Sequence, residues 1–182
     1  DIDMSAHAAA LRELPDRLER AREVEEHIAA EVEHILDARA FLFLGRGEGR
    51  GLAKEGALKL KEISYIPAEG LAAAEMKHGS IALIDEQVPT VVVAAPGPEI
   101  EKIFLSMDEI RARDGRVFAI ADAADRRTAD HADHVLPVPT GAKETFGSVA
   151  VVMLQLFAYR FAKALDRPID RPRNLAKSVT VE

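Results

Sequence analysis

Apolar residues follow two rhythms along this chain. In the first part the spacing is helical: within "RLERAREVEEHIAAEVEHILDA", Leu18, Val24, Ile28, Val32 and Ile35 fall on one face. Ser5 is suited to cap a first helix, and Pro15, after Leu14, to the first turn of a second, so residues 5–38 read as helices. The Glu and Arg residues between the apolar positions form a solvated face. From residue 40 the rhythm changes. "AFLFLG" (40–45) is a short continuous apolar run ending in glycine; "TVVVAAPG" (90–97) and "RVFAIAD" (116–122) repeat it, and "HVLPVP" (134–139) is a weaker copy. Such runs suit strands buried on both faces. Helical stretches lie between and after them, at about 50–65, 99–113 and 143–165. The alternation predicts an α/β fold: a parallel sheet with strands near 41–45, 90–95, 117–121 and 134–138, covered by helices on both sides. The expected organisation is a helical segment over 1–38, an α/β domain over 39–166 and a tail over 167–182. "DRPIDRPRNLAKSVTVE" has two prolines in five residues, which excludes one long helix and leaves an irregular segment lying on a surface.

Composition narrows the function classes. With 182 residues and 48% apolar content the chain can bury a full core. A formal net charge of -7 argues against a general binder of nucleic acid or anionic membrane, although a helix N-terminus can hold an anion in an acidic protein. There is no cysteine, which excludes disulfides, thiolate metal sites and cysteine nucleophiles and fits a reducing, cytoplasmic setting. No run of 18 apolar residues suggests a membrane span, and "DIDMSAHAAA" lacks the order of a signal peptide. A start at Asp rather than Met reads as a piece of a longer protein.

The candidate chemistry gathers after the first strand. "GRGEGRG" (45–51) is a glycine-rich strand-to-helix turn, but Arg50 stands where a dinucleotide fingerprint needs glycine, so a tight turn explains the glycines better than a nucleotide. In "EGALKLKEISY" a helix places Glu55, Lys59 and Glu62 along one stripe. Spacing alone makes this an ordinary surface pairing worth about 0.3–0.5 kcal/mol. Its nearness to the strand-end loop favours a site instead, in a cleft at the carboxyl ends of the strands. "AEMKHG" adds Lys77 and His78. His131 and His134, near Asp130 and Asp133, form an H-x-x-H without a third ligand, and no metal is expected. There is no G-x-S-x-G nucleophile elbow.

Taken together, "FLFLGRG", "EGALKLKEISYI", "AEMKHG", "IALID" and "PRNLAKSVTVE" resemble the C-terminal half of the isomerase domain of the glucosamine-6-phosphate synthases, the glutamine–fructose-6-phosphate amidotransferases, over essentially the whole chain. The resemblance implies a SIS (sugar isomerase) domain, a flavodoxin-like three-layer sandwich. It also implies a role in converting fructose-6-phosphate and ammonia from glutamine into glucosamine-6-phosphate, the first step towards UDP-N-acetylglucosamine. It implies Glu62 as the acid/base moving a proton between C1 and C2, and Lys59 as the cation beside the developing enolate-type oxygen. His78 matches a ring-opening histidine that reaches a neighbouring subunit's site, and Lys177 the tail lysine that meets the sugar carbonyl. Glu55 matches a glutamate beside the site; Asn174, Ala176 and Lys177 belong to a tail that closes over the sugar. No cofactor is implied. The implied partners are the sugar phosphate, a first SIS half, a glutaminase domain and a second copy in a homodimer.

The chain departs from the family pattern at Pro67 (often His), Ser80 (often Pro) and Arg50–Gly51 (often Tyr-Pro), which alters loop shape but not the acid/base set. It has no Ser/Thr-rich loop of the "SQSGET" type, which in the family binds the phosphate from the first half. By itself the chain is therefore expected to fold without turning over substrate. The rival readings are a phosphosugar-sensing SIS module of a regulator and a ketosamine-phosphate deglycase. A regulator calls for a basic DNA-contacting helix, and residues 5–38 are instead rich in Glu.

Overall fold

A computed structural model describes residues 4–139 and 141–175. Its centre is a sheet of five parallel strands: β1 (Phe41–Gly45), β2 (Ala68–Ala72), β3 (Thr90–Ala94), β4 (Val117–Asp122) and β5 (His134–Val138), in the order β2-β1-β3-β4-β5. Four strands lie where the apolar runs place them. The fifth, β2, is "AEGLA", which carries no such run. It is an edge strand, mostly half-exposed and paired in register from Phe41↔Ala68 to Gly45↔Ala72. Its strand state comes from that pairing rather than from local preference.

The continuous apolar runs serve two cores at once, because alternate residues of a strand face opposite sides. Phe41, Phe43, Val91, Val93, Phe118 and Ile120 enter one core; Leu42, Leu44, Val92, Ala94, Ala119 and Ala121 enter the other. The first core is covered by α4 (Gly49–Ser64) and α7 (Lys143–Ala164). Their partners there are the N-terminal helices α1 (Met4–Arg12), α2 (Leu14–Glu23) and α3 (Glu25–Val32), the last two seated on α7 and contributing Ala21, Ile28 and Val32. Ser5 lies inside the first turn of α1, while Pro15 occupies the first turn of α2 as expected. The second core is covered by α5 (Ile100–Arg111), the one-turn α6 (Thr128–His131) and 3-10 turns at Ala73–His78 and Ser80–Leu83.

Helix α7 is long and apolar enough to cross a bilayer, but it is the central helix of the first core. Phe146, Val149, Met153, Phe157 and Phe161 are fully buried along it, and the Phe161 ring meets Phe41 edge-on with centroids 5.0 Å apart. It ends through Asp166, at φ 53°, with Asp166 N–H donating to Lys163 and Arg167 N–H to Ala162.

Glycines set how closely α4 meets the sheet. A Cβ on Gly70 would lie 2.5 Å from the Lys54 Cα and 2.8 Å from the Ala53 carbonyl oxygen, backbone that cannot step aside. Gly51, in the first turn of α4, has open space around it. Gly70→Ala should therefore destabilise the chain by about 1–3 kcal/mol through overpacking. Gly51→Ala should stabilise it by about 0.5–1 kcal/mol. Urea unfolding midpoints for the two variants should move in opposite directions.

Candidate active site

Doubly wound sheets offer a crevice where neighbouring connections leave on opposite faces. Here that point lies between β1, followed by α4 on one side, and β3, followed by α5 on the other. The crevice is internally occupied. Arg46 Nη1 donates to Glu99 Oε2 at 2.9 Å, and Lys102 Nζ reaches the same carboxylate at 3.1 Å. Hydrogen bonds from Lys102 and then Arg46 lower the Glu99 pKa below the ordinary glutamate value. The amides that a bound phosphate would need are also engaged: Gly49, Arg50 and Gly51 N–H donate to the carbonyls of Arg46, Gly47 and Glu48. Gly45 permits this turn, because a Cβ there would lie 2.1 Å from the Gly49 carbonyl oxygen. The glycine loop is thus a tight turn, with its own carboxylate beside the arginine.

The stripe of Glu55, Lys59 and Glu62 forms on α4, but not in that crevice. Helix α4 starts at the carboxyl ends of the strands and runs back towards their amino ends, where β2 begins. Glu62 is thirteen residues beyond Gly49, about 20 Å along the axis. The expectation that Lys59 and Glu62 face the strand carboxyl ends is therefore corrected. A helix of 16 residues carries its last turns to the far edge of a sheet whose strands are five or six residues long.

At that far end the residues do converge. Lys59 Nζ donates to Glu62 Oε2 at 2.7 Å, with the side chains 35% and 28% exposed, neither fully solvated nor sealed. The bond to Glu62 raises the Lys59 pKa above the ordinary lysine value; partial burial opposes this, and the charges of Glu62 and Glu55 reinforce it. Glu62 lines a hollow of about 400 Å³ with Lys61, Tyr65, Ile66 and Pro67 from the end of α4, and with Arg173, Asn174 and Leu175 from the tail. The structure thus brings Lys59, Glu62 and Asn174 into one neighbourhood, with Glu55 further up the stripe. Ala176 and Lys177 lie outside the described residues. His78 is exposed in the 3-10 turn after β2, which packs in the core on the opposite face of the sheet from α4, so it is not joined to Glu62 within one chain. Its neighbour Lys77 pairs with Glu109 at 2.6 Å.

Sequence reasoning named no role for Tyr65, which ends α4 in the left-handed region at φ 66°. The signal for such a turn is normally glycine or asparagine. The two histidines of H-x-x-H separate: His131 Nδ1 is 2.8 Å from Asp108 and its ring stacks on Phe104, while His134 pairs with Glu31 and stacks on Phe118. Among the described residues no group of three or more His, Asp or Glu side chains is arranged to hold a metal ion.

Residues 34–164 match the family model described as SIS domain. Over 172 residues, 94% of this chain, the sequence is 51% identical to glutamine–fructose-6-phosphate aminotransferase (isomerizing) of Thermus thermophilus. Over 173 residues it is 46% identical to the Gloeobacter violaceus protein of the same name. The chain spans 28% of the length of each of these relatives. The solved C-terminal domain of glucosamine-fructose-6-phosphate aminotransferase from Francisella tularensis superposes with a TM-score of 0.83 at 33% identity, over 89% of this chain and 46% of that one. Glucosamine-6-phosphate deaminase from Thermotoga maritima, at 22% identity and a TM-score of 0.70 over 98% of this chain and 50% of that one, shares the fold alone.

The Lys59 ammonium is held by Glu62 while Lys54 and Lys61 on the same helix are exposed. A raised lysine pKa adds stability that is present below the ordinary value of 10.5 and is lost as pH rises through the higher one. At pH 8–9 acetic anhydride should therefore modify Lys59 more slowly than Lys54 or Lys61, as peptide mass spectrometry would record, and Glu62→Gln should narrow the gap. Equal rates in the unaltered chain would show that the pair does not persist in solution.

Proposed function

The chain belongs to the SIS domain family, and from that premise we propose that it is the C-terminal half of the sugar isomerase unit of a glutamine–fructose-6-phosphate aminotransferase. The observation that carries the reading is that Glu62, paired with the Lys59 ammonium, lines one hollow together with tail residues Arg173, Asn174 and Leu175. The near-complete coverage of this chain by aminotransferase relatives supports it over a regulator or a deglycase.

In the proposed reaction ammonia adds at C2 of fructose-6-phosphate, water leaves, and a proton moves from C1 to C2 of the imine to give glucosamine-6-phosphate. Glu62 takes and returns that proton on one face of the sugar. Lys59, held as an ammonium, offsets negative charge on the oxygen as the enolate-type species forms, and Lys177 meets the carbonyl. Residues 167–182 act as the segment that closes over the sugar and keeps water from the imine. His78, on the opposite face of the sheet, serves the site of a second copy by opening the ring hemiketal, which makes the active unit a cytoplasmic homodimer. The phosphate is held by a first SIS half, and ammonia comes from a glutaminase domain, so this chain alone does not turn over.

In the full-length enzyme that this reading calls for, Glu62→Gln should lower fructose-6-phosphate isomerisation by about 10²–10⁴-fold, the usual loss for a general base. Glutamine hydrolysis, assayed in parallel, should be unchanged. Isomerisation at the unaltered rate would exclude Glu62 as the proton carrier and turn attention to Glu55.

A further inference from the structure

Tyr65 has no part in the chemistry proposed above, yet the end of α4 and the tail both converge on it. Its N–H donates to Lys61, and buried Ser64 fixes the turn by donating through Oγ to the Leu60 carbonyl and accepting from Ile66 N–H. The outcome is φ 66° at a bulky residue, a conformation L side chains rarely hold. A glycine would make the same turn without strain. What Tyr65 adds is its side chain. The phenol oxygen accepts a hydrogen bond from Arg173 N–H at 2.9 Å. The Arg173 guanidinium carbon lies 4.2 Å from the ring centroid and that of Arg167 5.7 Å away, so two arginines of the tail rest on one ring. Pro168 and Pro172 stiffen the chain between those arginines, and Asn174 follows at φ 62° beside Glu62.

We propose that Tyr65 is a positioning residue: the post on which the C-terminal segment is seated, holding Arg173, Asn174 and Leu175 against the hollow lined by Glu62. The inference rests on the reading of Glu62 and the tail as parts of one site. It explains why an unfavourable backbone conformation carries an aromatic ring three residues after the proposed base.

Trypsin offers a direct test, because Arg167 and Arg171 precede prolines and resist it, whereas the Arg173–Asn174 bond is cleavable. Where cleavage follows the population of the open segment, losing the post should raise the rate at this bond by roughly tenfold in Tyr65→Ala and Tyr65→Gly. Tyr65→Phe, which keeps the ring and loses the acceptor, should fall between. Tyr65→Gly retains the turn, so its thermal midpoint should be no lower than that of the unaltered chain, which separates the post from mere folding. Unchanged cleavage in the glycine and alanine variants would overturn the proposal. In the full-length enzyme the same variants should raise KM for fructose-6-phosphate more than they lower kcat, with the pH profile of kcat unmoved. Faster cleavage with unaltered isomerisation would retain Tyr65 as a seat and overturn its link to the reaction, and with it the reading of the tail as part of the site. Loss in the Glu62→Gln enzyme alongside normal cleavage in the Tyr65 variants would instead retain the site and dismiss the post.

Discussion

Helix α4 lies on the sheet at a distance that side chains would forbid. Gly70 touches the backbone of Lys54 and Ala53, Gly56 leaves room for Phe43 and Leu154, and Gly45 lets the chain fold back onto Gly49. Three points of contact without a Cβ fix the height, register and starting point of one helix. Much else follows from that. Phe43 and Leu154 fill the space above Gly56, which ties α4 to α7 and, through α7, to the N-terminal helices. The start of α4 closes the crevice between β1 and β3, and its end projects past the amino edge of the sheet. The same helix therefore borders both the crevice and the hollow lined by Glu62.

The two ends differ in electrostatics. At the start the positive dipole end would welcome an anion. Instead the chain supplies its own carboxylate: Glu99 bonds Arg46 and Lys102, and the loop amides bond loop carbonyls. At the far end Glu62 sits near the negative end of the dipole, compensated by Lys59 rather than by the helix. A proton carrier is better served there than in the crevice, because among the described residues a single exchangeable ion pair, worth about 0–1 kcal/mol at this exposure, holds its carboxylate. Closing the hollow would strengthen that pair's field on anything bound between them.

The layered core was legible wherever burial on both faces writes itself as a continuous apolar run. "AFLFLG", "TVVVAAPG" and "RVFAIAD" are strands because each residue must satisfy one of two cores. "AEGLA" escaped because an edge strand with one neighbour and half-exposed residues carries no such pattern; the backbone of β1 specifies it. The stripe on α4 was legible as a stripe, since helical spacing depends only on sequence. Its position was not. Being near a strand-end loop in sequence says nothing of distance once a long helix intervenes, and direction along the helix decided the matter. Tyr65 was invisible for another reason. A left-handed helix end is normally announced by glycine, and here an aromatic residue holds it with help from arginines more than one hundred positions away.

On the proposed reading, such a fold is used in halves. A parallel sheet of this order offers one natural anion site, and this chain has filled it with its own salt bridge. What it keeps available is a carboxylate, a cation and the approach of a tail, groups suited to moving protons and excluding water but not to gripping a phosphate. Phosphate binding and proton transfer would then be separable between two copies of one architecture. The phosphate is held by the first half, on this proposal, whereas the proton is moved by Glu62 near the end of α4. Since only interactions that strengthen towards the transition state raise rate, Glu62 and Lys59 need add nothing to ground-state binding. On that reading Glu62 and Lys59 are placed for the proton transfer, while the tail helps to hold the sugar.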